Sequence, residues 1–269
     1  MSVRRRINIL VRSQSNIRVT IQYDGTNFNG YELQPGKRTV RAELEGALHK
    51  LFQEKTKLIS ASRTDAGVHA LGQVVNFSLK NNIQPDKIVP ALNSVLPADI
   101  RVIMAEAVSP EFNSRFGAKK KEYEYLIYNG QACPPHLRGI VWLIKPKLDL
   151  GAMRQAAKLL VGKQDFASFC AAHSDDTDFV RTIHSFVISS AKGGSLVIWS
   201  GVGFPVIRFR VVGNGFLYKM VRNMVGTLVE AGLGQIKAAD VKSILEAKDR
   251  KLAGRTAPAQ GLCLVKINY

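Results

Sequence analysis

The sequence predicts an α+β protein made of two mixed halves with a basic cleft between them. Three observations carry that prediction. Hydrophobic periodicity orders the first half as β-α-β-β-α-β, a split βαβ sheet with its helices on one face. The second half reads as further antiparallel strands, two late helices and a closing strand. No low-complexity linker and no short-period repeat separates the halves, so one continuous sheet can run through both. The boundaries implied are a basic arm at 1–16, an N-terminal half at 17–114 and a C-terminal half at 115–269.

The elements follow in order. Ile17 to Tyr23 alternates apolar and polar residues as a half-buried strand does. Asp24-Gly25-Thr26-Asn27 is turn chemistry, and the loop runs on through Pro35-Gly36. Val40, Leu44, Ala47, Leu48 and Leu51 recur at helical spacing, so Thr39 to Glu54 is an amphipathic helix. An apolar approach, Lys57 to Ala61, then leads into the polar knot Ser62-Arg63-Thr64-Asp65-Ala66-Gly67, and a strand resumes at Gly72 to Phe77. Asp86 to Leu96 is a second helix, set between Pro85 and Pro97, and Asp99 to Val108 a further strand.

In the second half, a basic run from Arg115 feeds an alternating aromatic strand that ends at Tyr128. Cys133 to Gly139 is an irregular connection. Asp149 to Val161 is a helix with Met153, Ala156, Ala157 and Leu160 on one side. Arg181 to Ser190, Ser195 to Gly201 and Pro205 to Val212 read as three antiparallel strands. Phe216 to Gly232 and Ala238 to Lys248 are helices, and Leu262 to Tyr269 closes the chain as a strand.

Charge narrows the function. Lys and Arg number 38 against 21 acidic residues, a net charge of +17, with a pI near 10.0. Such a surplus repels itself in a compact fold, and a polyanion such as nucleic acid is its natural partner. No tract approaches the length of a membrane span. Cys133, Cys170 and Cys263 are odd in number and far apart, which suits structural thiols in a reducing compartment rather than a disulfide framework. Met1 to Asn16 carries Arg4, Arg5, Arg6 and Arg12 without an acid. It reads as a disordered basic arm of a cytoplasmic protein or, alternatively, as a short organellar transit peptide.

Three constellations carry chemistry. Asp65 sits on a loop between two strands, where reactive groups are commonly displayed. Arg63, two residues away, favours its ionised form, suited to a nucleophile or base; the alternative is an Asp that caps the turn. In the late helix Lys219, Arg222, Asn223 and Gly226 share a face opposite a core stripe of Leu217, Met220, Met224 and Leu228. A cation there, flanked by Val221 and Val225, is partly buried and needs an anion, either a phosphate or a carboxylate such as Asp65; otherwise this is an exposed Lys-Arg face. The third is Lys119-Lys120-Lys121-Glu122-Tyr123-Glu124-Tyr125, where amines meet phosphates and a ring stacks on an unpaired base, unless the tyrosines are core. His69 and the Asp-rich loop after His173 lack metal-site spacing, and no phosphate-loop, dinucleotide or zinc motif is present. The chemistry is therefore expected to need no metal or cofactor.

At this point Arg63-Thr64-Asp65-Ala66-Gly67-Val68-His69-Ala70 resembles the signature of the TruA-type tRNA pseudouridine synthases. Tyr23-Asp24-Gly25 with Phe28 and Gly30 resembles the family's first turn, and Phe112, Arg115-Phe116 and Lys121 through Tyr128 its central strand. Arg181-Thr182-Ile183, the helix from Phe216 to Gly226, and Ala257-Pro258-Ala259 with Gly261-Leu262 follow in the family's order. The resemblance implies a pseudouridine synthase fold around a central antiparallel sheet, and a homodimer that holds tRNA. It implies isomerisation of uridine at nucleotides 38 to 40 of the anticodon arm by base flipping, without metal or cofactor. By position Asp65 is the catalytic carboxylate and Arg222 its partner. Tyr123 stacks on the uracil, and Arg63 fills the gap left by the extruded nucleotide. Two departures stand out. Ser62 replaces the usual glycine, a strain if that position needs a positive φ. Tyr31-Glu32 stands where many members have Trp-Gln, a loss of affinity if Glu32 faces phosphate. A silent RNA-binding module and a base-releasing N-glycosylase are the competing readings; hydrolysis needs a positioned water and often a second acid–base group.

Overall fold

The computed structural model describes residues 15–80, 83–172, 176–191 and 205–269. The first half is β1 (Ser15–Tyr23), α1 (Val40–Phe52), β2 (Ile59–Ser60), β3 (His69–Leu79), α2 (Pro85–Val95) and β4 (Ile100–Val108). The strand thus begins two residues earlier than expected, because Asn16 turns its amide inward to the carbonyls of Ser109 and Phe112. After it come β5 (Lys120–Asn129), β6 (Trp142–Ile144), α3 (Leu150–Leu159), β7 (Gly162–Asp165), β8 (Val180–Ala191), β9 (Val206–Gly213), α4 (Met220–Gly232), α5 (Asp240–Ala247) and β10 (Leu262–Asn268). The expected strand at Ser195 to Gly201, and all but the last two residues of the arm at 1–16, lie outside the described residues.

Among the described residues one ten-stranded, mostly antiparallel sheet runs β4-β1-β3-β10-β5-β9-β8-β7, with β2 on β3 and β6 on β5. Strands from before residue 114 fill one end of it and strands from after residue 115 the other. The join is made by the last strand of the chain. β10 lies parallel to β3, Cys263 opposite His69, and antiparallel to β5, Leu264 opposite Tyr123. The end of the Asp65 loop and the aromatic strand are thereby brought to one place, although far apart in sequence.

Local signals explain the helix boundaries. Thr39 caps α1 by accepting the Ala42 amide at 3.3 Å, and Asp149 caps α3 by accepting Gly151 and Ala152 at 2.7 and 3.0 Å. Gln53 and Lys248 end α1 and α5 in the left-handed region. The fourth helix starts at Met220 rather than Phe216: Lys219 has φ 56°, a conformation that cannot continue an α-helix inward. It is the most enclosed helix, with eleven buried residues, from Met220 through Gly232. α3 packs beside it, α5 packs on α3 and on the turn at 167–169, and α2 packs on β4 and α1. Leu44 and Leu48 of α1 and Ile88 and Leu92 of α2 belong to the same core as Ile17, Val19 and Ile21 of β1. Truncating any of these aliphatics to Ala removes about 2–5 kcal/mol. No helix among the described residues is long and apolar enough to cross a membrane.

Candidate active site

The loop from Ser62 to Val68 is held on both sides by groups from the first turn of the chain. The hydroxyls of Tyr23 and Thr64 lie 2.7 Å apart, both buried. The Tyr31 amide donates to the Thr64 carbonyl at 3.0 Å, and the Gly67 amide to the Phe28 carbonyl at 3.2 Å. Gly25 packs directly on Val68, whose carbonyl oxygen would lie 2.1 Å from a Cβ, so no larger residue fits. His69 Nδ1 accepts the Gly25 amide at 3.1 Å, and its Nε2 then donates to the Gly139 carbonyl at 3.0 Å. The imidazole is a brace under the loop.

On the other flank Gln73, fully buried on β3, acts as a surrogate strand partner for Ser62. Its Oε1 accepts the Ser62 amide at 3.2 Å and its Nε2 donates to the Ser62 carbonyl at 2.6 Å. Sequence reasoning passed over Gln73; the signal was an amide at a strand position that needs buried partners. Ser62 is not in the positive-φ region, so the strain considered for it does not arise. Its hydroxyl instead lies 2.8 Å from the Tyr123 hydroxyl.

The Asp65 carboxylate projects from this frame to Arg222, whose Nη1 donates to Oδ2 at 2.8 Å. The side chains are 18% and 14% exposed, a pair shielded on most sides yet open to a ligand. Among the described residues no backbone amide caps the carboxylate, so the turn-capping alternative does not hold. Arg222 is aimed by its own backbone contacts. Its Nε donates to the Ala257 carbonyl at 2.8 Å, and the Ala257 amide donates back to the Arg222 carbonyl at 3.1 Å. α4 reaches the 255–257 segment because Gly226 has no side chain; a Cβ there would stand 1.7 Å from the Arg255 carbonyl. Asn223, fully buried, donates to the Phe169 carbonyl and accepts from Arg250 and Thr256. The polar face read on this helix is therefore the face that packs against its support, Lys219 excepted. The Lys219 ammonium lies 4.8 Å from the Tyr218 ring and does not join the pair.

Arg63 is turned to a different carboxylate. Its Nε pairs with Glu32 at 3.1 Å, not with Asp65, and its side chain is 60% exposed. Glu32 also bonds Arg41, which is held in turn by Glu45 at 2.7 Å. Glu32 thus faces two guanidinium groups in the free protein.

Tyr123 lies next to this pair and is only 6% exposed. Phe216 meets it edge-on with ring centroids 5.2 Å apart. Burial pushes the phenol well above its ordinary range, with the Ser62 hydrogen bond opposing and the Asp65 charge reinforcing that rise. It is therefore a neutral hydroxyl. Tyr125 is fully buried and donates to the Pro258 carbonyl at 2.7 Å, a core residue. Glu122 and Glu124 point to the opposite face and meet Arg210 and Arg208 of β9 at 2.5 and 3.7 Å. The three cysteines are free. Among the described residues no three His, Cys, Asp or Glu side chains converge as a metal site.

Fold and loop together define a class. A family profile described as tRNA pseudouridine synthase matches residues 19–117 and 156–269. Among similar curated proteins, tRNA pseudouridine synthase A of Shouchella clausii is 44% identical over 256 residues, covering 95% of this chain and 94% of that one. Its counterpart in Bacillus subtilis is 44% identical over 255 residues, covering 94% and 98%. The counterpart in Acetivibrio thermocellus is 42% identical over 254 residues, covering 94% and 99%. The chain belongs to the tRNA pseudouridine synthase family and, within it, to the TruA type. It is accordingly an isomerase with the pseudouridine synthase fold.

Proposed function

We propose that the chain converts uridine to pseudouridine at nucleotides 38, 39 and 40 of the tRNA anticodon arm, by base flipping and without a cofactor. The observation that carries this reading is the Asp65–Arg222 ion pair at 2.8 Å, made between residues 157 positions apart and set beside Tyr123 on a braced loop. In the reaction the N1–C1′ bond breaks, the uracil turns, and C5 bonds to C1′. The C5 proton is lost and N1 gains one, so atoms balance as an isomerisation. Asp65 supplies the carboxylate, as nucleophile or as the base at C5. Arg222 neutralises and orients it. Tyr123 receives the base; with 6% of it exposed, uracil reaches its ring only as neighbours, Phe216 first, give way. Arg63 leaves Glu32 to occupy the vacated stack.

The enzyme works as a homodimer in the cytoplasm. Support for the dimer is the family resemblance; support for the compartment is the set of free, well-separated cysteines and the bacterial relatives. Incubating the protein with unmodified tRNA transcript and mapping both pseudouridine and abasic sites tests the activity. Pseudouridine at 38 to 40 is expected. Abasic sites would favour a glycosylase, and an unchanged transcript that is still bound would favour a silent RNA-binding protein.

A further inference from the structure

Two residues before Tyr123 on β5, Lys121 projects to the same face of the sheet, about 7 Å along the strand. Its cross-strand neighbours bring no charge: Gly213 on β9 and Ile267 on β10. Gly213 leaves a hollow that Phe216 enters; a Cβ there would stand 3.0 Å from the Phe216 ring. Arg181 lies along the next glycine, its Nε 3.5 Å from where a Gly215 Cβ would be. Arg115 approaches from the β4–β5 loop, which is pinned in place. The Ser114 amide donates to Asn76 Oδ1 at 2.8 Å, the Arg115 amide to Asn113 Oδ1 at 3.0 Å, and Tyr269 donates to the Ser114 carbonyl at 3.0 Å. Beside Arg115, Phe116 is 80% exposed with the guanidinium 5.7 Å from its ring centre.

Lys121 and Arg181 thus lie beside the Tyr123–Phe216 aromatic pair, and the charge of Arg115 reaches Lys121 from the β4–β5 loop. Arg181 has carboxylates behind it, Asp176 at 3.3 Å and Asp178 at 4.0 Å. Lys121 has none: among the described residues it enters no ion pair, and the charges acting on it are Arg115 and Arg181. A covered ammonium beside two guanidinium groups is unfavourable until an anion joins it.

Building on the proposed activity, we infer that Lys121, with Arg115 and Arg181, seats the backbone phosphodiester of the nucleotide whose base enters the Tyr123 recess. The position suits one nucleotide, base on the ring and phosphate one strand repeat away. The amine's titration agrees. Burial, then Arg115 and Arg181, push it down to about 8 in the free protein, and a bound phosphate restores its charge. Binding then falls as the free amine deprotonates above about pH 8 and levels off roughly tenfold weaker, at the affinity of an uncharged side chain, while the bound complex is insensitive.

The test compares wild type, Lys121→Arg and Lys121→Met on unmodified tRNA transcript, measuring kcat and kcat/KM from pH 6.5 to 9.5. Wild-type kcat/KM should fall above about pH 8 with kcat level. Lys121→Arg, permanently charged, should lose that alkaline limb. Lys121→Met should raise KM roughly tenfold, leave kcat within a few-fold, and reduce the slope of log affinity against log salt by about 1. Unchanged KM and salt slope in Lys121→Met, or a wild-type limb retained in Lys121→Arg, would overturn the seat. If Lys121→Met fails to fold, the limb in Lys121→Arg decides alone. Because Lys121→Met should still form pseudouridine at saturating tRNA, failure of the seat is distinct from failure of the isomerase reading, which shows as no product in wild type.

Discussion

Ser62 stands where the family resemblance leads one to expect glycine, and the structure gives the substitution a use. The backbone needs no positive φ there, and the added hydroxyl is the partner of a phenol otherwise sealed in the core. A buried hydroxyl left without a partner costs about 1–3 kcal/mol. Ser62→Ala and Tyr123→Phe should therefore each lower stability, with a coupling of about 0.5–1.5 kcal/mol in a double-mutant cycle read by urea unfolding. Additive effects would mean the two hydroxyls do not share a bond. The pairing of Asp65 with Arg222 was legible as one of the partners open to a half-buried cation on that helix. The partner of Arg63 was not. Its local neighbour in sequence is Asp65, yet Glu32 reaches it from a loop folded back thirty-odd positions away, and nothing in the spacing signals that.

At the scale of elements, α4 and the first turn do the positioning. Gly226→Ala would drive a methyl into the Arg255 carbonyl, so it should separate α4 from the 255–257 segment that aims Arg222. We expect a lower melting temperature together with a fall in kcat larger than any change in KM. A variant with wild-type kcat would show that this close approach is dispensable. The loop of Glu32 makes a second prediction. The Glu32–Arg63 pair is largely exposed and worth about 0–1 kcal/mol, and Arg41 still satisfies Glu32 when Arg63 leaves. Glu32→Gln should tighten tRNA binding by up to roughly fivefold at low salt; weaker binding would mean that Glu32 places Arg63 rather than restrains it. Long periodic elements were readable in the sequence because their apolar stripes are long. β6 and β7 were not, since three or four residues give too little alternation to register. The early start predicted for α4 failed because apolar spacing continues through Phe216 and Leu217 while the backbone at Lys219 turns left-handed.

Across the whole molecule, the C-terminal strand is what makes one site from two halves. Inserted between β3 and β5, β10 fixes the distance between the Asp65 loop and Tyr123. No local pattern could disclose that order, because pairing between residues nearly two hundred positions apart leaves no periodic trace. The net charge of +17 acts at this scale too. Affinity for tRNA should fall steeply and log-linearly with salt, as phosphate contacts release counterions; a flat response would contradict a basic RNA-binding surface. The central claim, that the Arg222-held carboxylate of Asp65 performs the rearrangement, is tested most directly by Asp65→Asn. This variant keeps shape and can still hydrogen-bond its neighbours. Single-turnover conversion of uridine in a bound tRNA transcript should be abolished while the dissociation constant stays within a few-fold of wild type. Pseudouridine formation by Asp65→Asn at a rate near that of wild type would contradict the account.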